Sequence, residues 1–267
     1  MPKIIKKIIQ VKNLVKHFGR IKAVDGISFH VNRGEIFAFL GPNGAGKSTT
    51  IKMLTTLLKP DSGSINIDGV DPVTDPNAVR KKFGIVFQDP SVDDELTAYE
   101  NMEFHGVLYK VPRDIRRERI EKLLKMVDLW DRRNDLVKQF SGGMRRRLEI
   151  ARGLIHHPKM LFLDEPTIGL DPQTRNYIWD YIKGLNKEEG LSVFFTTHYM
   201  DEAERIADYI IIIDHGRIVA EGKDAELRRK TRTKSLEDAF IKLTGRNIRE
   251  EDASALERMR MRRQIRR

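Results

Sequence analysis

The stretch GPNGAGKS, residues 41–48, fits the pattern G-x-x-x-x-G-K-[ST]. It follows the apolar run 36–40, which has the length of a buried strand, and it precedes a predicted helix over residues 48–58. In such a loop the backbone N–H groups and the N-terminus of the next helix bind phosphate oxygens. The stretch therefore predicts a nucleotide-binding α/β core.

Within this loop, Lys47 and Ser48 carry the predicted chemistry. The Lys47 ammonium is expected to reach the outer phosphates, and the Ser48 hydroxyl is expected to bind Mg²⁺, which neutralises charge during phosphoryl transfer. The other predicted phosphate-binding positions are Gly41, Pro42, Asn43, Gly44, Ala45 and Gly46. The loop alone fits a kinase or a GTPase as well as an ATPase. However, the guanine-reading pattern N-K-x-D is missing, because residues 186–189 read NKEE.

Length and composition limit the remaining possibilities. With 267 residues, of which 40% are hydrophobic, the chain can bury one sizeable α/β core. No apolar run approaches the roughly 18 residues that cross a bilayer. Lysines interrupt the isoleucines of residues 1–10, so no secretory signal is predicted and a cytoplasmic location is expected. The absence of cysteine excludes disulfides, thiolate metal sites and cysteine nucleophiles.

The formal net charge of +10 predicts an anionic partner, which could be a nucleotide, a nucleic acid or the cytoplasmic face of a membrane. Residues 246–267 hold eight arginines against four carboxylates and contribute part of this excess. We interpret this basic tail as a solvated segment, with contact to anionic lipids as the alternative.

Several apolar runs end abruptly in polar residues or in the glycine loop. The run 36–40 leads into the loop, 83–87 ends at Gln88, 160–163 ends at Asp164 and Glu165, and 191–197 ends at His198. The carboxyl ends of strands in an open α/β sheet line the ligand crevice. These polar groups are therefore expected at one rim of the sheet.

Asp164 and Glu165 are the predicted acidic residues of the site. Asp164 is placed to hold the magnesium shell through water, and Glu165 to orient or deprotonate the attacking water. Two carboxylates at a strand end are more simply solvated side chains, but the apolar strand before them favours the functional interpretation. Spacing alone does not select His198 among seven histidines.

Three further segments complete the predicted organisation. Residues 5–11 and 27–31 are predicted as strands of an antiparallel layer, and residues 89–158 as a helical insertion. Ser235 is the predicted start of a C-terminal helix and Gly245 its stop. We predict an α/β fold with a P-loop NTPase core, an N-terminal antiparallel β layer, a helical insertion subdomain and a short helical C-terminal extension. The predicted domains are 1–222 for the ATPase and 223–267 for the basic extension.

The sequence Ser141-Gly142-Gly143 has two interpretations. It reads simply as a serine N-cap with a flexible loop before a predicted helix. It also fits a second phosphate cradle, because a hydroxyl, glycine N–H groups and a helix N-terminus together bind anions. One chain has one ATP loop, so the second cradle is expected to serve a neighbouring subunit.

In their order and spacing, these motifs resemble those of the ATP-binding cassette (ABC) family, the nucleotide-binding subunits of ABC transporters, over nearly all of residues 8–222. The resemblance rests on GPNGAGKST (41–49), the Gln88 segment, FSGGM (140–144), LFLDEP (161–166), GLD (169–171) and TTH (196–198). Met144 is a departure, since the family usually carries Gln there and a thioether cannot donate a hydrogen bond. SGGMRRRLEIARGL (141–154) and SLEDAFIKLTGR (235–246) resemble the branch that contains daunorubicin-type exporters.

The resemblance implies roles for positions that the residues alone do not assign. Phe18 would stack on adenine, and Thr49 would assist phosphate binding. Gln88 would touch Mg²⁺ and sense a membrane partner. His198 would contact the γ-phosphate.

It also implies a head-to-tail dimer with two sandwiched ATP molecules. Ser141 and Gly143 would close on the γ-phosphate of ATP held by the other subunit. Asp171 would lie at the subunit interface, although its position before Pro172 also suits a helix N-cap.

By this resemblance the chain is expected to be the ATP-hydrolysing subunit of an exporter at the inner face of the cell membrane. It would drive a separately encoded permease, whose cytoplasmic helix would enter a groove around residues 89–104. The alternative is a soluble cassette ATPase that acts on ribosomes or nucleic acid, which the net charge of +10 accommodates. Such relatives usually have two cassettes or a long coiled-coil insertion, and neither is present, so a nucleic-acid partner is not favoured.

Overall fold

The computed structural model describes residues 6–245. Its strands are β1 Lys7–Phe18, β2 Ile21–Asn32, β3 Ile36–Leu40, β4 Ser62–Ile67, β5 Phe83–Val86, β6 Met160–Asp164, β7 Ser192–Thr196, β8 Tyr209–Asp214 and β9 Arg217–Gly222. Its α-helices are α1 Lys47–Leu54, α2 Pro76–Arg80, α3 Ala98–Leu108, α4 Arg113–Met126, α5 Gly142–Leu154, α6 Pro172–Glu189, α7 Met200–Ile206, α8 Asp224–Thr231 and α9 Leu236–Thr244. Two short 3₁₀ turns, Trp130–Arg132 and Val137–Gln139, lie between α4 and α5.

The strands form two sheets. A three-stranded antiparallel sheet has the order β2-β1-β4, and a six-stranded sheet has the order β5-β6-β7-β3-β8-β9. In the larger sheet β5, β6, β7, β3 and β8 run parallel, and β9 pairs antiparallel with β8. The parallel strands β3, β6 and β7 are buried along their whole length, as expected for a sheet covered on both faces.

Each face of the larger sheet contributes to its own hydrophobic core. On one face the antiparallel sheet and α1 enclose a core that contains the contacting rings of Phe29, Phe37, Phe39 and Phe194. On the other face the helices α3 to α9 contribute buried residues to the second core. The two cores hold the sheet rigidly, so the loops at the strand ends have fixed anchors.

Most predicted elements are present, with some shifted ends. The predicted antiparallel strands are longer than 5–11 and 27–31, and Ile5 lies outside the described residues. The predicted helix 48–58 is wrong in its end, because α1 stops at Leu54. The Thr55 hydroxyl donates to the carbonyl oxygen of Ile51, and Thr56 then takes a positive φ of 66°, which a helix does not allow.

The segment 89–158 contains α3, α4 and α5, and α5 also packs against β5 of the larger sheet. The two helices after residue 222 share the second core, since Leu227, Leu236 and Phe240 are all buried in it. These helices therefore pack into the same core as residues within 6–222, and the predicted domain boundary at residue 222 stays a prediction. The basic tail 246–267 lies outside the described residues. None of the helices between residues 6 and 245 is long and apolar enough to cross a membrane.

Candidate active site

The phosphate loop connects the end of β3 to the start of α1, and backbone contacts fix its path. Gly46 has a φ of 110°, and a Cβ atom there would lie 2.3 Å from the carbonyl oxygen of Ala23. A Cβ atom on Gly41 would lie 2.3 Å from the carbonyl oxygen of Ile213. Both distances are impossible for real atoms, so only glycine fits at these positions. The buried Lys47 ammonium donates to the carbonyl oxygens of Gly41 at 2.6 Å and Pro42 at 3.1 Å.

A cavity of about 770 Å³ lies against this loop and brings together most of the predicted site. The loop and the first turn of α1 contribute Asn43, Gly44, Gly46, Lys47, Ser48 and Thr49. Gln88, Glu165 and His198 reach the same cavity from the ends of other strands. The cavity also has apolar walls that were not predicted, formed by Ile21, Ala23 and Ile168. Its size falls within the range that suits a nucleotide-sized ligand.

Glu165 directly follows β6 and has an unusual backbone conformation. Its φ of 51° lies in the left-handed region, which costs a residue with a side chain about 1–2 kcal/mol. Hydrogen bonds on both sides hold it there: its N–H donates to the carbonyl oxygen and hydroxyl of Thr196, and its carbonyl oxygen accepts from Arg146 at 3.1 Å. The conformation of this residue is thus imposed by its neighbours in space.

The side chains of Glu165 and His198 are in direct contact. Oε1 of Glu165 lies 2.6 Å from Nε2 of His198, and both side chains are almost completely buried. Oε2 of Glu165 and Nδ1 of His198 are buried without a hydrogen-bond partner among the described residues. Because both atoms are buried from solvent, water can reach Oε2 only after the contact between Glu165 and His198 rearranges.

Asp164 is the last residue of β6 and is buried. Its Oδ1 accepts a hydrogen bond from the Thr196 hydroxyl at 2.7 Å. Burial raises the pKa of Asp164 above its usual value, and the nearby Glu165 carboxylate adds to this effect, while the Thr196 hydrogen bond and the Lys47 charge oppose it. A bound cation would stabilise the charged form of this buried carboxylate. Ser48 and Gln88 line the cavity but Asp164 does not, and the prediction that these three residues hold Mg²⁺, Asp164 through water, stays a prediction.

Ser141, Gly143 and Asp171 do not line this cavity. Ser141 caps α5 by accepting a hydrogen bond from the backbone N–H of Met144 at 3.3 Å. Asp171 caps α6 in the same way, with acceptor distances of 2.9 Å from the N–H and 2.7 Å from the hydroxyl of Thr174. The simpler interpretation of both residues, as helix caps, therefore describes their contacts within one chain. Their proposed roles toward a second subunit stay predictions.

Phe18 ends β1 and is not part of the cavity wall either. Its ring is 49% exposed, and the Lys16 ammonium lies 5.8 Å from the ring centroid. An exposed aromatic face of this kind is open to stacking. Stacking on adenine stays a prediction.

Arg146 was not among the predicted site residues, yet its guanidinium contacts two segments of the site, 87–88 and Glu165, from its own helix α5. It is only 6% exposed and donates to the carbonyl oxygens of Phe87, Gln88 and Glu165, and it pairs with Glu149 at 3.1 Å. The one signal in the sequence is the i, i+3 spacing of opposite charges on a helix. That spacing usually indicates an exposed pair, and Arg145 also has a helical spacing to Glu149, at i, i+4, so the pattern did not mark Arg146 as buried.

Glu202 is a second residue outside the predicted set. It lies on α7, is 4% exposed and accepts hydrogen bonds from the hydroxyls of Thr167 and Thr197, each at 2.8 Å. Thr167 lies two residues after Glu165, and Thr197 directly precedes His198. Glu202 thereby links the two loops that carry the Glu165–His198 pair. No periodicity or motif in the sequence marks it.

Comparison with known proteins identifies the family. Residues 24–168 match the family model described as ABC transporter. The chain belongs to the ABC transporter family. It is accordingly an ABC-type ATPase, and it binds ATP. The expected resemblance and the expected fold class are confirmed.

The ABC relatives of this chain include drug-resistance and export proteins. The chain is 46% identical over 222 residues to the daunorubicin/doxorubicin resistance ATP-binding protein of Streptomyces peucetius, covering 83% of this chain and 67% of the relative. It is 42% identical over 220 residues to the Nod factor export ATP-binding protein I of Ralstonia nicotianae, covering 82% and 68%. A solved ATP-binding cassette, a dimer in a post-hydrolysis state bound to ADP and Pi, superposes with a TM-score of 0.74 at 32% identity, covering 80% of this chain and 98% of that one.

Proposed function

We propose that this ABC ATPase powers an exporter, by hydrolysing ATP at the cytoplasmic face of the cell membrane and driving a separately encoded permease. The observation that carries the hydrolytic part is the buried contact between Glu165 and His198 beside the phosphate loop. The names of the relatives, which include drug-resistance and export proteins, support the export direction.

In this proposal Glu165 is the general base. Its Oε2 has no hydrogen-bond partner among the described residues and is buried, so it accepts a proton from the attacking water once ATP binding opens it to the cavity, while Oε1 is held by His198. Lys47 turns from the loop carbonyls toward the outer phosphates, and His198 contacts the γ-phosphate from the end of the adjacent parallel strand β7. Ser48, Gln88 and Asp164 would hold Mg²⁺, which neutralises charge that develops on the phosphates.

The proposal further assigns a second copy of the chain as partner. Ser141 and Gly143 lie outside the cavity of their own subunit, at the N-terminus of the 13-residue helix α5, which favours anions. We therefore assign them to the γ-phosphate of ATP bound by the partner, with Asp171 at the same interface. The dimeric state of the similar ADP-bound cassette supports this arrangement.

An exposed apolar surface on α3 supports the permease as a further partner. Phe104, Val107 and Leu108 are each at least half exposed, and Ile115 of α4 is also exposed. Large apolar side chains grouped on one surface mark protein–protein contact sites. Asn101 of the same helix is hydrogen-bonded to the backbone of Asp93, so a permease helix docked on α3 would contact an element that is attached to the segment after Gln88.

Two measurements test the proposal. Purified wild-type protein should hydrolyse ATP in the presence of Mg²⁺, and Glu165→Gln should bind ATP without turnover. A tagged Glu165→Gln protein, incubated with ATP and solubilised membranes, should retain a hydrophobic chain with several spanning segments. Retention of ribosomal proteins or nucleic acid in its place would contradict the transport part and favour the soluble alternative.

A further inference from the structure

Arg146 places a positive charge where three segments of the site meet. It lies in the second turn of α5, the helix that begins beside Ser141. Burial lowers the pKa of its guanidinium, and Glu149 opposes this effect as the nearest counter-charge. Removing a guanidinium from water is costly unless its donors are satisfied. The donors of Arg146 are satisfied mainly by backbone carbonyls from outside its own helix.

Those carbonyls belong to functional segments. Nη1 donates to Phe87, and Nη2 donates to Gln88 at 3.4 Å and to Glu165 at 3.1 Å. The planar fork of a guanidinium fixes the directions of several donors at once, which a flexible ammonium cannot do. The guanidinium therefore sets the distance between the Gln88 segment and the strained backbone of Glu165.

Glu149 anchors the other side of this contact. Its Oε1 accepts hydrogen bonds from the backbone N–H and hydroxyl of Ser91, and Arg152 donates to the Ser91 carbonyl oxygen at 2.6 Å. The segment 87–91 is thus attached to α5 at both of its ends. Any displacement of α5 would therefore also displace this segment and the carbonyl group of Glu165, because both are hydrogen-bonded to side chains of α5.

We propose that Arg146 is a positioning residue for hydrolysis, which ties the Gln88 segment and the backbone of Glu165 to the helix that begins at Ser141. This proposal rests on the proposed function. In the head-to-tail dimer, the same helix contacts the partner's ATP while Glu165 serves the ATP of its own subunit. Arg146 then couples closure at one ATP site to alignment of the general base at the other.

The test compares Arg146→Lys and Arg146→Met with Arg147→Met. Arg147 is a matched control, because it lies on the same helix and contacts Val127, Asp128 and the ring of Tyr177, none of which lines the cavity. For each protein we would measure kcat, KM, the Hill coefficient for ATP, equilibrium ATP binding and the thermal midpoint. Misplacement of a reacting group by about 1 Å lowers the rate on the order of 100-fold.

We expect both Arg146 variants to lose about 10- to 100-fold in kcat, with ATP affinity within about twofold of the wild type and a Hill coefficient near one. Arg147→Met should keep the wild-type values. If Arg146→Met does not fold, Arg146→Lys decides, since it keeps the charge opposite Glu149. Wild-type turnover in a folded Arg146 variant, or equal losses of ATP affinity and kcat, would overturn this proposal alone. A wild-type protein that binds ATP without hydrolysing it would overturn the proposed function as well.

Discussion

Nε2 of His198 lies 2.6 Å from Oε1 of Glu165, and this contact is buried between two loops that belong to different strands. The residues are far apart in the chain, but their strands β6 and β7 are neighbours in the sheet. The imidazole therefore contacts one carboxylate oxygen, Oε1, while the other, Oε2, has no hydrogen-bond partner among the described residues.

Glu165→Gln should lower kcat by about 10²–10⁴-fold, because an amide cannot take a proton from water. ATP affinity should change little, since the phosphate loop is intact, and the dimer should persist in the presence of ATP. Turnover assays and size-exclusion chromatography with ATP would measure both effects. Turnover equal to that of the wild type would remove Glu165 from its role.

Mixing Ser141→Arg with Lys47→Ala subunits should restore hydrolysis that neither variant shows alone. A mixed dimer has one site with an intact loop from one subunit and an intact Ser141 from the other. Random pairing would then give about a quarter of the wild-type rate. Two inactive proteins that stay inactive on mixing would argue against composite sites, provided that the mixed dimer is detected by tag pull-down.

Thr167→Val and Thr197→Val each remove one hydroxyl donor from the buried Glu202 carboxylate. Thr167→Val leaves Oε1 without its hydroxyl donor, which costs about 1–3 kcal/mol of stability, and Thr197→Val should cost less, because Oε2 still accepts from Thr167 at 3.0 Å. We also expect kcat to fall while KM stays constant, because each threonine adjoins a loop that holds Glu165 or His198. The matched control is Glu204→Gln, which changes a half-exposed carboxylate on the same helix. Equal kcat values in all three variants would show that Glu202 acts on stability alone.

The buried side chain of His156 leads us to predict that the free energy of unfolding falls on acidification. Its Nε2–H donates to the Phe83 carbonyl oxygen at 2.9 Å, and its Nδ1 is buried without a partner in the described structure. Burial, chiefly, lowers its pKa to about 4, so protonation favours the unfolded chain, whose histidine titrates near 6.5. This contribution is complete above pH 6.5 and is lost as the pH falls toward 4. The cost between pH 7 and pH 5 is about 2 kcal/mol.

Urea unfolding at pH 7 and pH 5 would measure this loss. In His156→Gln the amide can still donate to Phe83, but the pH-dependent loss should shrink by about 2 kcal/mol. His30→Gln is the control, because His30 is exposed on β2. An unchanged difference between the two pH values in His156→Gln would contradict the assignment.

Local patterns predicted much of the fold and most of the cavity wall. The runs that end at Gln88, Asp164 and His198 are parallel strands or continue directly from them, and their polar ends meet at one rim because sheet geometry requires it. The end of α1 was not predictable in this way, because Thr55 and Thr56 stop the helix without a glycine or proline.

Arg146 and Glu202 are buried charged residues of the site that a single sequence does not reveal. A charged residue on a helix is usually solvated, and nothing in the neighbouring residues indicates that these two are buried. Arg146 contacts the backbone just after β5 and β6, and Glu202 contacts the hydroxyls of two separate loops. These partners come together only when the chain folds, so the local sequence does not show them. The roles that the family resemblance implies for Phe18, Ser141, Gly143 and Asp171 involve a nucleotide or a second subunit, so they stay predictions.

The position of helix α9 near the end of the chain affects when the nascent protein can complete its core. Leu236 and Phe240 are completely buried in the core beneath the larger sheet, together with residues that are synthesised much earlier. A nascent chain emerges at about 5–20 residues per second, so this core stays open until residue 240 has left the ribosome. During that interval the parallel strands expose apolar surface to chaperones and proteases. A product that stops before α9 should therefore be degraded or aggregate, even though it contains every residue of the proposed ATP site.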